Sequence, residues 1–130
     1  MIATEWTSRQ FGAVIDRFKV ECPTEAWDDV LIRYAVLKAK GPASGPLVAK
    51  KLKNGKGIWE LLGHADNHQP RLLFYFSTDS MRLIVFVHAF MKKGKHDYPP
   101  AIQLAQKRRA LIERGEKALN VIESLKSSVH

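Results

Sequence analysis

Cysteine is nearly missing from this chain: Cys22 stands alone among 130 residues, so no internal disulfide can form and a reducing compartment is the natural setting. Long apolar runs are missing as well. The longest, Leu83 to Val87, falls far short of the roughly 20 residues that a membrane-spanning helix requires. The N-terminal Met1-Ile2-Ala3-Thr4-Glu5-Trp6 has no basic stretch leading into an apolar core, so a cytoplasmic protein is expected. Metal-ligand spacing is also lacking. His64, Asp66 and His68 share a stretch with Asn67, Gln69 and Pro70 that reads as a connecting turn, and no second ligand cluster accompanies them. Gly55-Lys56-Gly57 and Gly94-Lys95 lack the remainder of a nucleotide-binding P-loop, and Cys22 has no motif that would make it a nucleophile. Neither a metal nor a cofactor is expected. Repeats, low-complexity tracts and linkers are absent too, so residues 1–130 are expected to form one domain with only 127–130 frayed.

What the chain does have is positive charge in one place. Residues 38–95 hold 11 Lys and Arg against 3 Asp and Glu, which equals the whole chain's net charge of +8, while the two flanks nearly cancel. Cations concentrated in a strand-rich segment rather than a tail describe a folded surface for polyanions, and RNA is the polyanion it suits best. Two clusters stand out. Lys50, Lys51, Lys53 and Lys56 precede the strand that carries Glu60, and Lys92, Lys93 and Lys95 follow a later apolar strand.

The elements around these clusters follow from periodicity. Phe11 to Val20 has a mixed pattern that fits either a short helix or a strand, with the helix favoured. Pro23-Thr24, with acidic Glu25, Asp28 and Asp29, opens a second helix whose Trp27, Leu31, Tyr34 and Leu37 recur at helical spacing until Gly41. Gly41 to Pro46 is a loop by its breakers. Ile58 to Leu62, Arg71 to Phe76 and Arg82 to Phe90 are strands, the last two joined through Thr78-Asp79-Ser80 as a hairpin, which predicts an antiparallel sheet. Pro99-Pro100 opens a final helix with Ile102, Ala105 and Ile112 on one side and Gly115 as a break before Glu116 to Lys126. Leu104, Leu111, Ala118 and Leu125 recur every seven residues, but that run is short and holds Gly115, so tertiary packing explains it better than a coiled coil.

An ordered series emerges: lysines, Gly57-Ile58-Trp59-Glu60-Leu61, a turn, Arg71-Leu72-Leu73-Phe74-Tyr75-Phe76, another turn, Leu83 through Lys93, then Pro99-Pro100-Ala101-Ile102 and Ala105. This series resembles the RelE/HigB type of toxin from bacterial and phage type II toxin–antitoxin systems over roughly residues 24 to 112. The resemblance implies an α+β fold with N-terminal helices packed on a small twisted antiparallel sheet and a C-terminal helix. It also implies an endoribonuclease that cuts messenger RNA at the ribosome, stops translation and growth, and is inhibited by a cognate helix-turn-helix antitoxin. A ParE-like gyrase poison of the same fold and an inactive RNA-binding relative are the alternatives.

Metal-free RNA cleavage has to deprotonate a 2′-hydroxyl, stabilise the phosphorane's charge and protonate the departing 5′-oxygen. Arg71, at a strand start, is the candidate phosphate clamp because its planar fork can hold two oxygens; its alternative is an ion pair with Glu60. Lys92 and Lys93 point to opposite sides if the strand stays extended, so one faces substrate and the other solvent. Glu60, alternating with Trp59 and Leu61, is a candidate base or a holder of Arg71. Tyr98 is a candidate stacking residue or proton donor, and His96 a candidate acid. Lys50, Lys51, Lys53, Lys56 and Lys95 are the candidate RNA contacts. His88, inside an apolar strand, reads as a sheet or core residue, and Trp6, Trp27 and Trp59 read as core or interface.

Overall fold

The computed structural model describes residues 5–126, and the tail expected at 127–130 lies outside the described residues. In chain order the elements are β1 (Thr7–Phe11), α1 (Val14–Glu21), α2 (Thr24–Lys40), β2 (Ala49–Lys51), β3 (Trp59–Leu62), β4 (Pro70–Phe76), β5 (Leu83–Met91), α3 (Tyr98–Glu113) and β6 (Leu119–Asn120). The fold is α+β, with one six-stranded sheet in the order β2-β3-β4-β5-β1-β6. No helix among the described residues is long and apolar enough to cross a membrane.

The sheet is mixed rather than antiparallel, and a strand rather than a helix comes first. β1 lies parallel to β5, pairing Thr7 with Leu83 and Gln10 with Phe86. Its sequence, Thr-Ser-Arg-Gln-Phe, hides the strand because the most buried side chain is polar. Gln10 is 1% exposed. Its amide donates to Asp16 Oδ2 and to the Val121 carbonyl, both at 2.9 Å, while its oxygen accepts from the Ile15 N–H at 2.9 Å. All-round hydrogen bonding is what lets a glutamine occupy a core position. Past Gly115, whose φ is 74°, only Leu119–Asn120 is strand, pairing with β1 as β6.

α2 obeys its end signals. Pro23 sets the extended backbone before α2, Glu25 sits in the first turn, Lys38 and Lys40 sit in the last, and Gly41 closes the helix at φ 54°. The buried stripe is Ala26, Trp27, Val30, Tyr34 and Leu37, so Val30 takes the central place expected of Leu31, which packs at the margin.

Each face of the sheet has its own core. α1 and α2 pack on Leu61, Leu72, Phe74, Ile84 and Phe86, joined by Trp59, which stacks on Phe74 with centroids 6.3 Å apart. α3 packs its Ala101 and Ala105 on Ile58, Leu73, Tyr75, Val85 and Val87 on the other face. Here Ala101, not Ile102, takes the core position: residues 101 and 105 lie one turn apart on the side toward the sheet, while Ile102 is rotated to the edge. A β-bulge in β5 adjusts this second face. Leu73 pairs with His88 and Phe74 with Phe86, leaving Val87 as the extra residue. Val87 and Phe90 therefore share the α3 side while Phe86 and Ala89 share the other.

Candidate nucleic-acid interface

α3 covers only part of its face of the sheet, and the uncovered part toward β2 and β3 forms a groove of about 980 Å³. Strand alternation explains which residues reach it. Lys50 on β2 is paired directly with Glu60 on β3, and both line the groove. The β2–β3 connection forms one wall with Leu52, Lys53 and Asn54, and the N-terminal turns of α3 form the other with Tyr98, Pro99 and Ile102. Lys92 and Lys95, from the segment between β5 and α3, complete the rim.

Both walls are tied in place. Asn54 and Lys56 take left-handed backbone with φ 63° and 52°, next to Gly57 at 96°, so the β2–β3 turn is tightly wound. The Gln106 amide of α3 donates to the Gly55 carbonyl at 2.9 Å and holds this turn against the helix. On the other rim the Asp97 carboxylate accepts from the Lys93 N–H at 2.7 Å and the Gly94 N–H at 3.0 Å. These two bonds are the main reason its carboxyl titrates below the ordinary range. Asp97 thereby fixes the loop from which Lys92 and Lys95 project. This role was not read from the sequence: Asp97 stands at the N-cap of α3, but Pro99 and Pro100 offer no N–H there, and its carboxylate turns back to the preceding loop instead.

At the floor, Arg71, Tyr98 and Glu60 form a hydrogen-bonded chain. Arg71 Nε donates to the Tyr98 hydroxyl at 3.3 Å, and that hydroxyl donates to Glu60 Oε1 at 2.6 Å. Arg71 Nε also lies 3.4 Å from the same Oε1. Burial, followed by the bond to Glu60, pushes the Tyr98 phenol up to about 12, so it keeps its proton at neutral pH. With Oε1 engaged twice, Oε2 is the oxygen that Glu60 can present to the groove.

The residues expected at the site divide accordingly. Glu60, Lys50, Lys53, Lys92, Lys95 and Tyr98 all line the groove. Arg71 does not. It is 7% exposed, and its Nη1 donates to the carbonyls of Gly63 at 2.8 Å and Pro70 at 3.0 Å while Nη2 donates to Gln69 Oε1 at 3.0 Å. A guanidinium so engaged has no fork left for a phosphate, so the clamp reading gives way to the ion pair with Glu60. Lys92 turns into the groove, its Nζ 5.6 Å from the Tyr98 ring centre, whereas Lys93 is exposed and contributes its backbone N–H. Lys51 follows Lys50 by one residue and falls outside the groove, and Lys56 lines a separate hollow with Arg109. His96 is solvent-facing, 3.4 Å from Asp97, and away from the groove walls. His88 stacks on Phe90 with centroids 5.8 Å apart, and burial, aided by Arg108, lowers it to about 4. Missing from the sequence reading were Leu52, Asn54, Gln103 and Gln106. Pro99, Ile102, Gln103 and Gln106 recur at helical spacing and make a second stripe on α3, which is the signal that would have found them.

The fold and site together define a mixed-sheet α+β domain with a lysine-rimmed groove over a hydrogen-bonded Glu–Tyr–Arg chain. The chain belongs to the phage-derived Gp49-like protein family (DUF891), whose pattern it matches over residues 17–110, and this family is toxin-like in the toxin–antitoxin sense. The match spans α2, the groove-forming strands and most of α3. Comparison with curated proteins gives no significant match.

Proposed function

We propose that this protein is the toxin of a type II toxin–antitoxin pair, of the RelE/HigB kind, and that it cuts messenger RNA in the ribosome without a metal. The observation carrying this reading is the placement of four lysines around one carboxylate: Lys50, Lys53, Lys92 and Lys95 line the groove in which Glu60 is the acidic residue. In this reading Glu60 Oε2 takes the proton of a 2′-hydroxyl, whose oxygen then attacks the adjacent phosphorus. Lys50 and Lys92 stabilise the charge that grows on the phosphoryl oxygens. The bond from phosphorus to the 5′-oxygen breaks, and the Lys92 ammonium supplies the proton to the departing oxygen. The products are a 2′,3′-cyclic phosphate and a 5′-hydroxyl. Tyr98 and Arg71 act through Glu60 as positioning residues. The protein works in the cytoplasm and is silenced by a helix-turn-helix antitoxin.

The test is single-turnover cleavage of a message bound to purified ribosomes. Glu60→Gln, which keeps the shape of the side chain, is expected to slow cleavage by about 10²- to 10⁴-fold, the usual worth of a positioned base. Parental-rate cleavage by a folded Glu60→Gln protein would remove the carboxylate from the chemistry. In cells, induction of the chain is expected to stop protein synthesis before DNA replication. Replication or supercoiling failing first is the result that would replace the nuclease with a ParE-like gyrase poison.

A further inference from the structure

At the other end of the sheet from the groove, a second hollow of about 240 Å³ lies where β1, α2 and the segment after β6 meet, and it shares no residue with the first. The short β6 leaves it open. β6 pairs with β1 only at Gln10 and Phe11, so the outer edge of Thr7 to Arg9 is uncovered. The Thr7 N–H donates to the Arg82 carbonyl at 2.8 Å toward β5, and backbone groups alternate sides along a strand, so Ser8 turns its own groups toward the hollow. Backbone acceptors here are already engaged. The Ser8 carbonyl accepts from Arg9 Nη1 and the Val121 carbonyl from the Gln10 amide, both at 2.9 Å. Donors are left over. The buried Tyr34 gives its hydroxyl proton to Ser8 Oγ at 2.7 Å, and burial raises its phenol, so that proton stays on at neutral pH. Ser8, half-buried, therefore keeps its own hydroxyl proton beside its N–H, and neither meets an acceptor among the described residues. Lys38 from α2 and Lys126 from the C-terminal segment add ammonium groups. Their partners, Glu5 at 3.7 Å and Glu123 at 3.2 Å, are exposed, and such pairs exchange at little cost.

We propose that this hollow is a carboxylate anchor that takes one Asp or Glu side chain of the antitoxin. The inference rests on the toxin–antitoxin reading for the identity of the partner and adds the place where that partner grips. One carboxylate oxygen accepts from the Ser8 hydroxyl and the other from the Ser8 N–H, while Lys38 supplies the opposite charge. The volume falls below the roughly 300–1,000 Å³ of sites for whole small molecules, so it suits a single side chain. Trp6, Ile122 and Leu125 give the hollow apolar lining, and Val121, 44% exposed, continues that surface outward. An acidic residue flanked by apolar ones matches these walls. A nucleic-acid phosphate, flanked by sugars, leaves them uncovered. The antitoxin thus holds the toxin at the sheet end away from Glu60, and gripping the protein is a separate task from covering its groove.

Two measurements test the anchor. The first is a nuclear magnetic resonance titration of the full chain with the capped peptide acetyl-Leu-Glu-Leu amide. Binding is expected to shift the amide signals of Ser8, Arg9 and Val121 saturably, to leave those of Lys50 and Lys92 in place, and to weaken about tenfold when Gln replaces Glu in the peptide. Ser8→Ala and Lys38→Ala are each expected to weaken it by a similar factor. Equal binding of the two peptides, shifts confined to the groove, or an affinity that neither substitution lowers overturns the proposal. Inorganic phosphate held as tightly as the glutamate peptide assigns the hollow to phosphate and overturns it as well. The second measurement is growth. The double variant Ser8→Ala, Lys38→Ala is expected to arrest cells as the parental chain does, but to escape rescue by the helix-turn-helix protein encoded beside it. A double variant rescued as fully as the parental chain overturns the anchor while the toxin stands. A parental chain that arrests nothing removes the toxin, while glutamate-selective shifts at Ser8 still support a carboxylate site.

Discussion

Loss of the Tyr98 hydroxyl and loss of the Arg71 guanidinium both act on Glu60, but at different cost to the fold. Tyr98→Phe keeps the ring against Phe90, 5.5 Å away edge to face, and removes the donor to Glu60 Oε1 together with the acceptor for Arg71 Nε, which still has Glu60 Oε1 3.4 Å away. One such bond to a charged acceptor is worth roughly 1.5–3 kcal/mol. Arg71→Ala instead strands the carbonyls of Gly63 and Pro70 together with a carboxylate that is 4% exposed. Breaking a buried ion pair from one side costs about 3–5 kcal/mol. Arg71→Lys keeps the charge but cannot meet acceptors on Gly63, Pro70 and Gln69 with one ammonium held on a flexible stem. The expected order of urea midpoints is parental, Tyr98→Phe, Arg71→Lys, Arg71→Ala. Arg71→Ala unfolding at the parental midpoint would show that the buried network contributes nothing to stability. Tyr98→Phe is therefore the variant suited to kinetics, where a folded protein with slowed cleavage assigns positioning of Glu60 to the hydroxyl.

Among the elements, legibility followed apolar content. β3, β4 and β5 carry continuous aliphatic and aromatic residues, so their existence and their antiparallel pairing were plain in the sequence, to within a residue at each end. β1 was not legible because Ser8, Arg9 and Gln10 give it no alternation, and only the distant Asp16 and Val121 reveal why Gln10 can be buried. For the same reason α3 was half read: two stripes compete on one helix, and the apolar Ile102 belongs to the groove while the smaller Ala101 meets the sheet. The alternation in β2 that brings Lys50 beside Glu60 and sends Lys51 elsewhere depends on register, which charge counting does not supply. The C-terminal segment around β6 shows how such hidden contacts hold an element. Asp16 Oδ1 accepts from the Ser124 N–H at 2.9 Å and from its hydroxyl at 2.5 Å, while Oδ2 accepts from Gln10. Burial alone would raise this carboxyl, but the bonds from Ser124 and Gln10 outweigh it and lower it. A lowered native pKa means the stabilisation is fully present above the unfolded value, near 4, and is lost as pH falls through the native one. The C-terminal segment is thus expected to loosen on acidification below about pH 4. Asp16→Asn should bring that loosening to neutral pH and flatten the acid dependence, read as amide exchange at Val121 to Leu125. Identical exchange in both proteins at pH 7 would leave Asp16 without a tethering role.

For the molecule as a whole, the decisive quantity is where its charge lies, not its sum. The chain carries +8, yet the lysines that enter the groove are Lys50, Lys53, Lys92 and Lys95, while Lys51, Lys56 and Lys93 lie outside it. If attraction to RNA came from the general field of the protein, every one of these charges would matter alike. If RNA runs through the groove, each lysine that neutralises a phosphate releases condensed counterion, and the logarithm of affinity falls with the logarithm of salt by about 0.7 per contact for a single strand. Lys50→Ala is therefore expected to lower the steepness of the salt dependence by about 0.7, and Lys50→Ala with Lys53→Ala by about twice that. Lys51→Ala, one residue away with the same change in net charge, should shift affinity slightly and leave the slope in place. The pair Lys50 and Lys51 is a close control, since composition, net charge and helix content are the same in the two variants and only the face of β2 differs. The measurement is a titration of single-stranded RNA between low and moderate salt. Equal slopes for Lys50→Ala and Lys51→Ala would place the RNA somewhere other than the groove and withdraw Glu60 from contact with it.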